Sequence, residues 1–364
     1  MPPAIFPEEG DFASGLTTGV SASTAMMVSS MDEFPPRFSV VIPVRNGENV
    51  IGACLKALAA QSVGAELYEV IVVNDKSTDE TVSVVGDFAV KLVEGEGRGP
   101  AAARNLGAKQ ARGEILLFTD ADCEPKPDWI EKLTEPLDDP EISGTRGLYD
   151  CKQPEWTARF AQLEYEQKYQ ILAKDEFVDF VDTSSAAYRK SVFDEFGGFC
   201  DEFGAAAAED TDFSYQLARA GHKLVFCPDA FVFHQHPAQL STYLSRKYKN
   251  AVWRSVLYNR HPGKMVRDSH TPQTLKIQIL LLYAFAIAPA GMLLFSWPAW
   301  SLGLAPAAFL LTTVPFVLSL FRRDPLIALL SPGFLFLRSL AFAVGVPIGF
   351  VRLMLQKTGR RESF

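Results

Sequence analysis

Cysteine is sparse in this chain: five residues among 364, odd in number, at positions 54, 123, 151, 200 and 227, with no C-x-x-C pair. That spacing argues against a zinc site or a disulfide framework and fits a reducing compartment. Acidic residues nearly vanish from the last third. Residues 241–364 hold 15 Lys and Arg against 3 Asp and Glu, whereas residues 1–240 hold 20 against 40. A front part with a balance of −20 argues against a nucleic-acid partner, because phosphate backbones need a basic surface. A basic rear part with long uncharged runs points to a lipid bilayer, with the cations on its cytoplasmic side. Residues 1–36 lack the basic start and apolar core of a signal peptide and show no apolar periodicity. They read as a disordered N-terminal tail, and Met31 stands as an alternative start just before the ordered part.

From Phe38 the pattern becomes α/β. Strands are expected over 38–43, 68–73, 90–93 and 115–118, with helices over 48–60, after the capping run Ser77-Thr78-Asp79-Glu80, and over 100–111. Such alternation means right-handed βαβ units in a mostly parallel, Rossmann-like sheet. Further on, an amphipathic helix follows Glu209-Asp210-Thr211-Asp212, and two strands are expected over 223–226 and 230–234. The α/β domain is expected over 37–240, a basic interfacial linker over 241–274, membrane segments over 275–352 and a basic cytoplasmic tail over 353–364. Residues 277–297 and 300–321 are each uncharged and about long enough to cross a bilayer. The third apolar stretch, 325–350, carries Pro332, Gly333, Arg338 and Pro347. A full crossing would leave Arg338 in hydrocarbon, at about 2.5–3.5 kcal/mol on insertion scales, so an interfacial or re-entrant segment is expected.

Chemistry concentrates where strands end. Thr119-Asp120-Ala121-Asp122 closes the apolar run 115–118, at the rim where parallel sheets build ligand sites. Two carboxylates one residue apart suit a Mg²⁺ or Mn²⁺ that bridges to a substrate diphosphate, although acidic loop residues are also common without a metal. Cys123 beside them reads as a small buried apolar residue. Asp75 follows the second strand on the same rim and suits a nucleobase N–H, or else a turn. Arg98-Gly99-Pro100 and Arg104 suit a phosphate, with a plain helix-surface arginine as the alternative for Arg104. Glu209-Asp210 reads either as simple helix capping or as a carboxylate that takes a proton from an acceptor hydroxyl, in a loop loosened by the alanines at 205–208. His234 reads as a metal ligand or a surface histidine, and His236 as pointing to the opposite face.

Taken in order, Val41-Ile42-Pro43 with Asn46 and Glu48, Asn74-Asp75-x-Ser77-Thr78-Asp79, Ala103-Arg104-Asn105-x-Gly107, Asp120-Ala121-Asp122, Gly197-Gly198-Phe199, Glu209-Asp210-Thr211-Asp212 and His234 resemble the family 2 glycosyltransferases over about residues 38–250. The resemblance implies a GT-A fold, a UDP- or GDP-sugar donor, a Mg²⁺ or Mn²⁺ cofactor and transfer with inversion. It also implies roles: Pro43, Arg45, Glu48, Asp75, Arg104, Asp120 and Ala121 at the donor, and Asp122 with Asp120 and His234 at the metal. Asp210 becomes the catalytic base, with Glu209 supporting the acceptor site, and Gly198, Phe199 and Ser185 lie toward the acceptor. The Gln-x-x-Arg-Trp signature of processive synthases is missing near Trp253-Arg254, which favours single-sugar transfer. Thr183-Ser184-Ser185 stands where many relatives carry Gly and Asn. The expected acceptor is a glycan or lipid-linked acceptor at the plasma (inner) membrane, met by a cytoplasmic catalytic domain on a multi-pass anchor. A nucleotidyltransferase is the rival enzyme class, for which Arg45-Asn46-Gly47 is a poor basic loop; a non-catalytic sugar-nucleotide-binding membrane protein is the other rival.

Overall fold

The computed structural model describes residues 35–203, 208–266 and 268–357. The expected tail over 1–34, the alanines at 205–207 and the end of the basic tail from 358 onward lie outside the described residues. Four strands carry the apolar runs: β1 (Phe38–Val44), β2 (Tyr68–Asn74), β3 (Lys91–Glu94) and β4 (Ile115–Phe118). They pair in parallel, in the spatial order β3-β2-β1-β4. The sheet continues through β7 (Ala186–Arg189), β6 (Ile142–Asp150), β8 (Lys223–His234) and β5 (Cys123–Pro125). Here the expectation of a mostly parallel sheet needs correcting. β7 runs antiparallel to both β4 and β6, and β5 antiparallel to β8, so the sheet is mixed. The two strands expected over 223–234 are one strand, paired in parallel with β6 across a register shift.

This topology decides which chain segments meet. β1, β2 and β4 end on one rim, and the antiparallel β7 begins there. β6 and β8, antiparallel to β7, end there too. Segments 43–47, 75, 119–122, 149–150, 182–185 and 234 therefore share a rim, although more than a hundred residues separate the extremes.

Alternate residues of the buried strands feed two cores. Val40, Ile42 and Leu117 pack under α1 (Ile51–Leu58) and against Trp129 and Ile130 at the start of a short α-helix, Trp129–Thr134. Val41, Ile71, Leu116 and Phe118 pack on the other face with Phe193, Phe199 and Phe213. Helix Pro100–Gln110 sits against β1 so closely that a Cβ at Gly107 would come within 2.3 Å of the Val41 side chain.

The remaining helices attach to this core. We number the α-helices in chain order: α2 (Thr81–Gly86), α3 (Pro100–Gln110), α4 (Trp129–Thr134), α5 (Trp156–Leu172), α6 (Lys190–Glu195), α7 (Glu209–Arg219), α8 (Leu240–Arg260), α9 (Pro262–Val266), α10 (Gln273–Phe295), α11 (Ser301–Leu320) and α12 (Pro325–Lys357). Three of them, α10, α11 and α12, are long and apolar enough to cross a membrane. The first two match the expected spans closely. The re-entrant option for 325–350 is corrected: the backbone continues as one helix for 33 residues. Its second half lies on α8, where an added Cβ at Gly345 or Gly349 would meet the Tyr248 carbonyl at 2.7 Å or the Val252 carbonyl at 2.4 Å. Only glycine permits that approach. Arg338 is not left in hydrocarbon. It is buried, with its guanidinium donating to Glu164 Oε1 at 2.7 Å and to Gln278 Oε1 at 2.7 Å. Glu164 on α5 also accepts from Tyr243 and pairs with Lys247, both on α8. The described residues from Pro36 onward form one compact unit.

Candidate active site

Much of the motif sequence holds the site together instead of facing it. Asn46 adopts φ +52°, and its Oδ1 accepts from the Thr78 amide at 2.8 Å. Its own amide donates to Ser77, and the amide of Gly47 to Thr81. Glu48 accepts from the Glu80 amide at 2.9 Å and donates its own amide to Asp79. The loops after β1 and β2 are thus stitched together, leaving Arg45 exposed at their edge. Glu48 belongs to this seam and does not line the cavity, which corrects its assignment to the donor. Asp75 is buried, and its two oxygens accept the amides of Gly97 at 2.7 Å and Gly99 at 2.8 Å. It fixes the loop ahead of α3 while remaining on the cavity wall.

Arg104 is not a surface arginine. From α3 it reaches Asp120 Oδ1 at 2.6 Å and Glu209 Oε1 at 3.0 Å, and it is 3% exposed. Ser184 donates to the other Asp120 oxygen at 2.8 Å. Burial pushes the Asp120 carboxyl up, but the Arg104 guanidinium and the Ser184 hydroxyl more than reverse this and hold it below the usual range. With both of its oxygens engaged, Asp120 positions the loop, and the carboxylate that approaches a histidine is its near neighbour.

That neighbour is Asp122. His234 Nε2 lies 3.8 Å from Asp122 Oδ1, and His234 Nδ1 is buried with no hydrogen-bond partner. Two donor atoms at that separation, one histidine and one carboxylate, suit a divalent cation. Cys123 Sγ lies within 4.8 Å of both, but burial raises the thiol far above its ordinary value and the side chain belongs to the core. β8 ends at His234, so His236 does not continue its alternation. It turns under α5, where its ring stacks on Tyr165 and meets Gln162.

Asp210 opens α7, half-buried, with Thr211 donating its amide to Oδ1 at 2.6 Å. Burial first, then the charges of Glu209 and Asp182, push its carboxyl up to about 8. A carboxyl near neutrality can take up a proton in the working range.

Pro43, Arg45, Asp75, Arg104, Asp120, Ala121, Asp122, His234, Glu209 and Asp210 all line one cavity of about 940 Å³ at the common rim. The expected acceptor residues do not. Phe199 is 2% exposed in an aromatic cluster with Phe118, Phe193 and Phe213. Gly198, at φ +75°, packs on Asn105, whose amide group clamps the Phe199 backbone through two hydrogen bonds. Ser185 accepts from the Trp129 indole in the core. The three are structural because Gly-Gly-Phe turns inward beneath α3. Residues that sequence reasoning missed take their place: Ser184 and Asp182 before β7, Tyr149 at the end of β6, and Lys168 and Arg254 on α5 and α8. Tyr149 donates its hydroxyl to Asp182 at 3.3 Å. β6 was unreadable because its buried residues include Ser143, Thr145 and Arg146, which break the apolar signal.

Residues 39–197 match the model of glycosyl transferase family 2. The chain is 29% identical over 237 residues to the pre-mycofactocin glycosyltransferase of Mycobacterium tuberculosis, covering 62% of this chain and 48% of that one. It is 24% identical over 288 residues to a Methanococcus voltae dolichyl N-acetyl-alpha-D-glucosaminyl phosphate 3-beta-D-2,3-diacetamido-2,3-dideoxy-beta-D-glucuronosyltransferase, covering 71% and 83%. Its match thus spans about half the length of the first of these relatives. Among solved structures, the Pyrobaculum calidifontis mannosyltransferase PcManGT, in complex with GDP-Man and Mn²⁺, superposes with a TM-score of 0.54 at 22% identity, over 90% of this chain and 89% of that one. That likeness gives the fold, which is GT-A with C-terminal apolar helices. The match to glycosyl transferase family 2 thus lies on the 39–197 segment, which carries the rim loops after β1, β2 and β4.

Proposed function

We propose that this protein transfers a single sugar, with inversion, from a nucleoside-diphosphate sugar to a hydroxyl of a membrane-associated acceptor. The observation that carries this reading is the meeting of Asp122, His234 and Asp210 with residues 43–47, Gly99 and Pro100 on one cavity. On this reading the nucleoside lies along Pro43, Arg45 and Asp75. Asp122 and His234 hold a Mg²⁺ or Mn²⁺, which supplies Lewis-acid neutralisation of the departing diphosphate. Arg246 on α8 also lines the cavity and acts on the charge of Asp122, so it adds positive charge on that side.

The acceptor O–H gives its proton to an Asp210 carboxylate oxygen as its own oxygen bonds to the anomeric carbon. The bond from that carbon to the diphosphate oxygen breaks, and its electron pair leaves with the nucleoside diphosphate. Glu209 is tied to Arg104. Asp210 is then the carboxylate poised for proton transfer, a single-base arrangement that supports inversion. The relatives are named as a pre-mycofactocin glycosyltransferase and a glucuronosyltransferase acting on a dolichyl N-acetyl-alpha-D-glucosaminyl phosphate, and the solved neighbour carries GDP-Man with Mn²⁺. These support a nucleoside-diphosphate sugar as donor.

The test is a panel of nucleotide sugars with Mg²⁺ or Mn²⁺ on the full chain. Release of nucleoside diphosphate is expected; release of pyrophosphate would mean nucleotidyl transfer. We place the catalytic domain and the C-terminal tail on the cytoplasmic side, with α10 and α11 as an out-and-back pair. A reporter fused after Phe364 is expected to read as cytoplasmic, and an external signal would refute that topology.

A further inference from the structure

The cavity is divided by charge. Its sheet side carries Asp120, Asp122, Glu209 and Asp210, whereas its helical side, formed by α5, α8 and the start of α10, carries cations. Several of those cations are only partly neutralised. Glu164 alone answers both Lys247, at 2.9 Å, and Arg338, at 2.7 Å. Burial pushes its carboxyl up, but these two cations more than reverse this and hold it down to about 2. Lys168, one turn further along α5, has the Tyr165 ring at 4.2 Å beneath its ammonium, and none of the ion pairs among the described residues involves it. Arg254 donates to His270 at 2.8 Å, and burial keeps that ring uncharged. Asp268, whose charge acts on Arg254, also lies 4.0 Å from Lys276 and 3.6 Å from His270. Behind this wall Arg146 is wholly buried, and all three of its guanidinium nitrogens lack a hydrogen-bond partner; Asp182 lies 3.9 Å away.

We propose that this wall, centred on Lys168 and Arg254, binds a phosphate group carried by an amphiphilic acceptor, separately from the donor diphosphate. The deduction rests on the glycosyltransferase reading of the same cavity and names the acceptor's class. Phosphate supplies the negative charge the wall lacks, and it offers several oxygens to two donors on adjacent helices. Burial, followed by repulsion from Lys247 and Arg254, holds the Lys168 ammonium down to about 7. An anion beside it would restore its charge. The apolar remainder of the ligand has a path as well. Leu257, Leu275 and Phe342 line the same cavity, on α8, α10 and α12, and the outer faces of α10 and α12 expose Leu280, Phe285, Phe336 and Leu340. The headgroup is thereby held on the helical side, across the cavity from Asp210, while the cation site remains with the sugar nucleotide.

The test uses the full chain in phosphatidylcholine nanodiscs, without donor, and measures equilibrium binding of farnesyl phosphate, farnesol and inorganic phosphate. Farnesyl phosphate is expected to bind at least tenfold more tightly than farnesol. Lys168→Gln and Arg254→Gln should each weaken it about tenfold, while Lys168→Arg retains it. Inorganic phosphate that competes as well as farnesyl phosphate assigns the site to a free phosphorylated acceptor; poor competition assigns it to a lipid headgroup. Either result keeps the phosphate site. Should Arg254→Gln fail to fold, the Lys168 pair decides, with Mn²⁺-dependent nucleotide binding as the check on folding. Equal binding of farnesol, or unchanged affinity in a folded Lys168→Gln protein, overturns the proposal. Phosphate-dependent binding without turnover of any nucleotide sugar would instead refute the catalytic reading and leave this one standing.

Discussion

At the scale of residues, the site works by dividing labour among carboxylates. Asp120 and Glu209 share Arg104 and are structural anions, Asp122 pairs with His234 toward a cation, and Asp210 keeps a carboxyl pushed up to about 8. If Asp210 is the base, it must be ionised to act. Turnover measured as kcat/KM should therefore rise with pH and level off above about 8, and Asp210→Asn should lose about 10²–10⁴-fold in kcat and abolish that rise. A rate flat from pH 6 to 9 would rule the role out. The motif residues were legible in the sequence as an ordered set, but not the partners that use them. Nothing in the spacing of Glu48, Asn105 or Arg104 tells that each is consumed by a contact with another loop. Those contacts join positions up to 105 residues apart, and a local pattern carries no information about them.

At the scale of elements, the first four strands and the helices between them follow from apolar runs and glycine or proline punctuation, and they appear where expected. The second half of the sheet does not. β6 buries Ser143, Thr145 and Arg146 among its apolar residues, and β7 spans only four residues, so both lack a periodic signal. α5 was equally hidden, because its apolar face is interrupted by Gln162 and Glu164, both buried. Glu164 is the polar hub that fastens α8 and α12 to the domain. Its folded-state carboxyl lies at about 2, below its ordinary 4.5. A lowered value means the stabilisation is complete above the ordinary pKa and drains away as pH falls from about 4.5 toward 2. Glu164→Gln should cost about 3–5 kcal/mol at neutral pH by leaving Lys247 and Arg338 buried beside a neutral group. It should also flatten that acid-side loss in a melting-temperature profile. An unchanged melting temperature would show that α8 and α12 are held by apolar packing alone.

At the scale of the whole molecule, the chain brings an acidic rim together with a basic helical wall and three apolar helices. The charge asymmetry of the sequence, acidic before residue 240 and basic after it, reappears as the two sides of one cavity, since α8 folds back over the rim. The apolar helices were legible from composition, and their docking was not: Gly345 and Gly349 meet α8 through backbone contacts that no hydropathy pattern displays. The central claim is that Asp122, His234 and Asp210 serve one cavity with separable tasks. It is tested most directly by measuring Mn²⁺-dependent binding of nucleoside diphosphate, alongside turnover, in Asp122→Ala, His234→Ala and Asp210→Asn. The account predicts that the first two lose metal-dependent binding by about tenfold or more while Asp210→Asn binds normally and fails to turn over. Normal turnover by Asp210→Asn, or undiminished metal-dependent binding in both Asp122→Ala and His234→Ala, would contradict it.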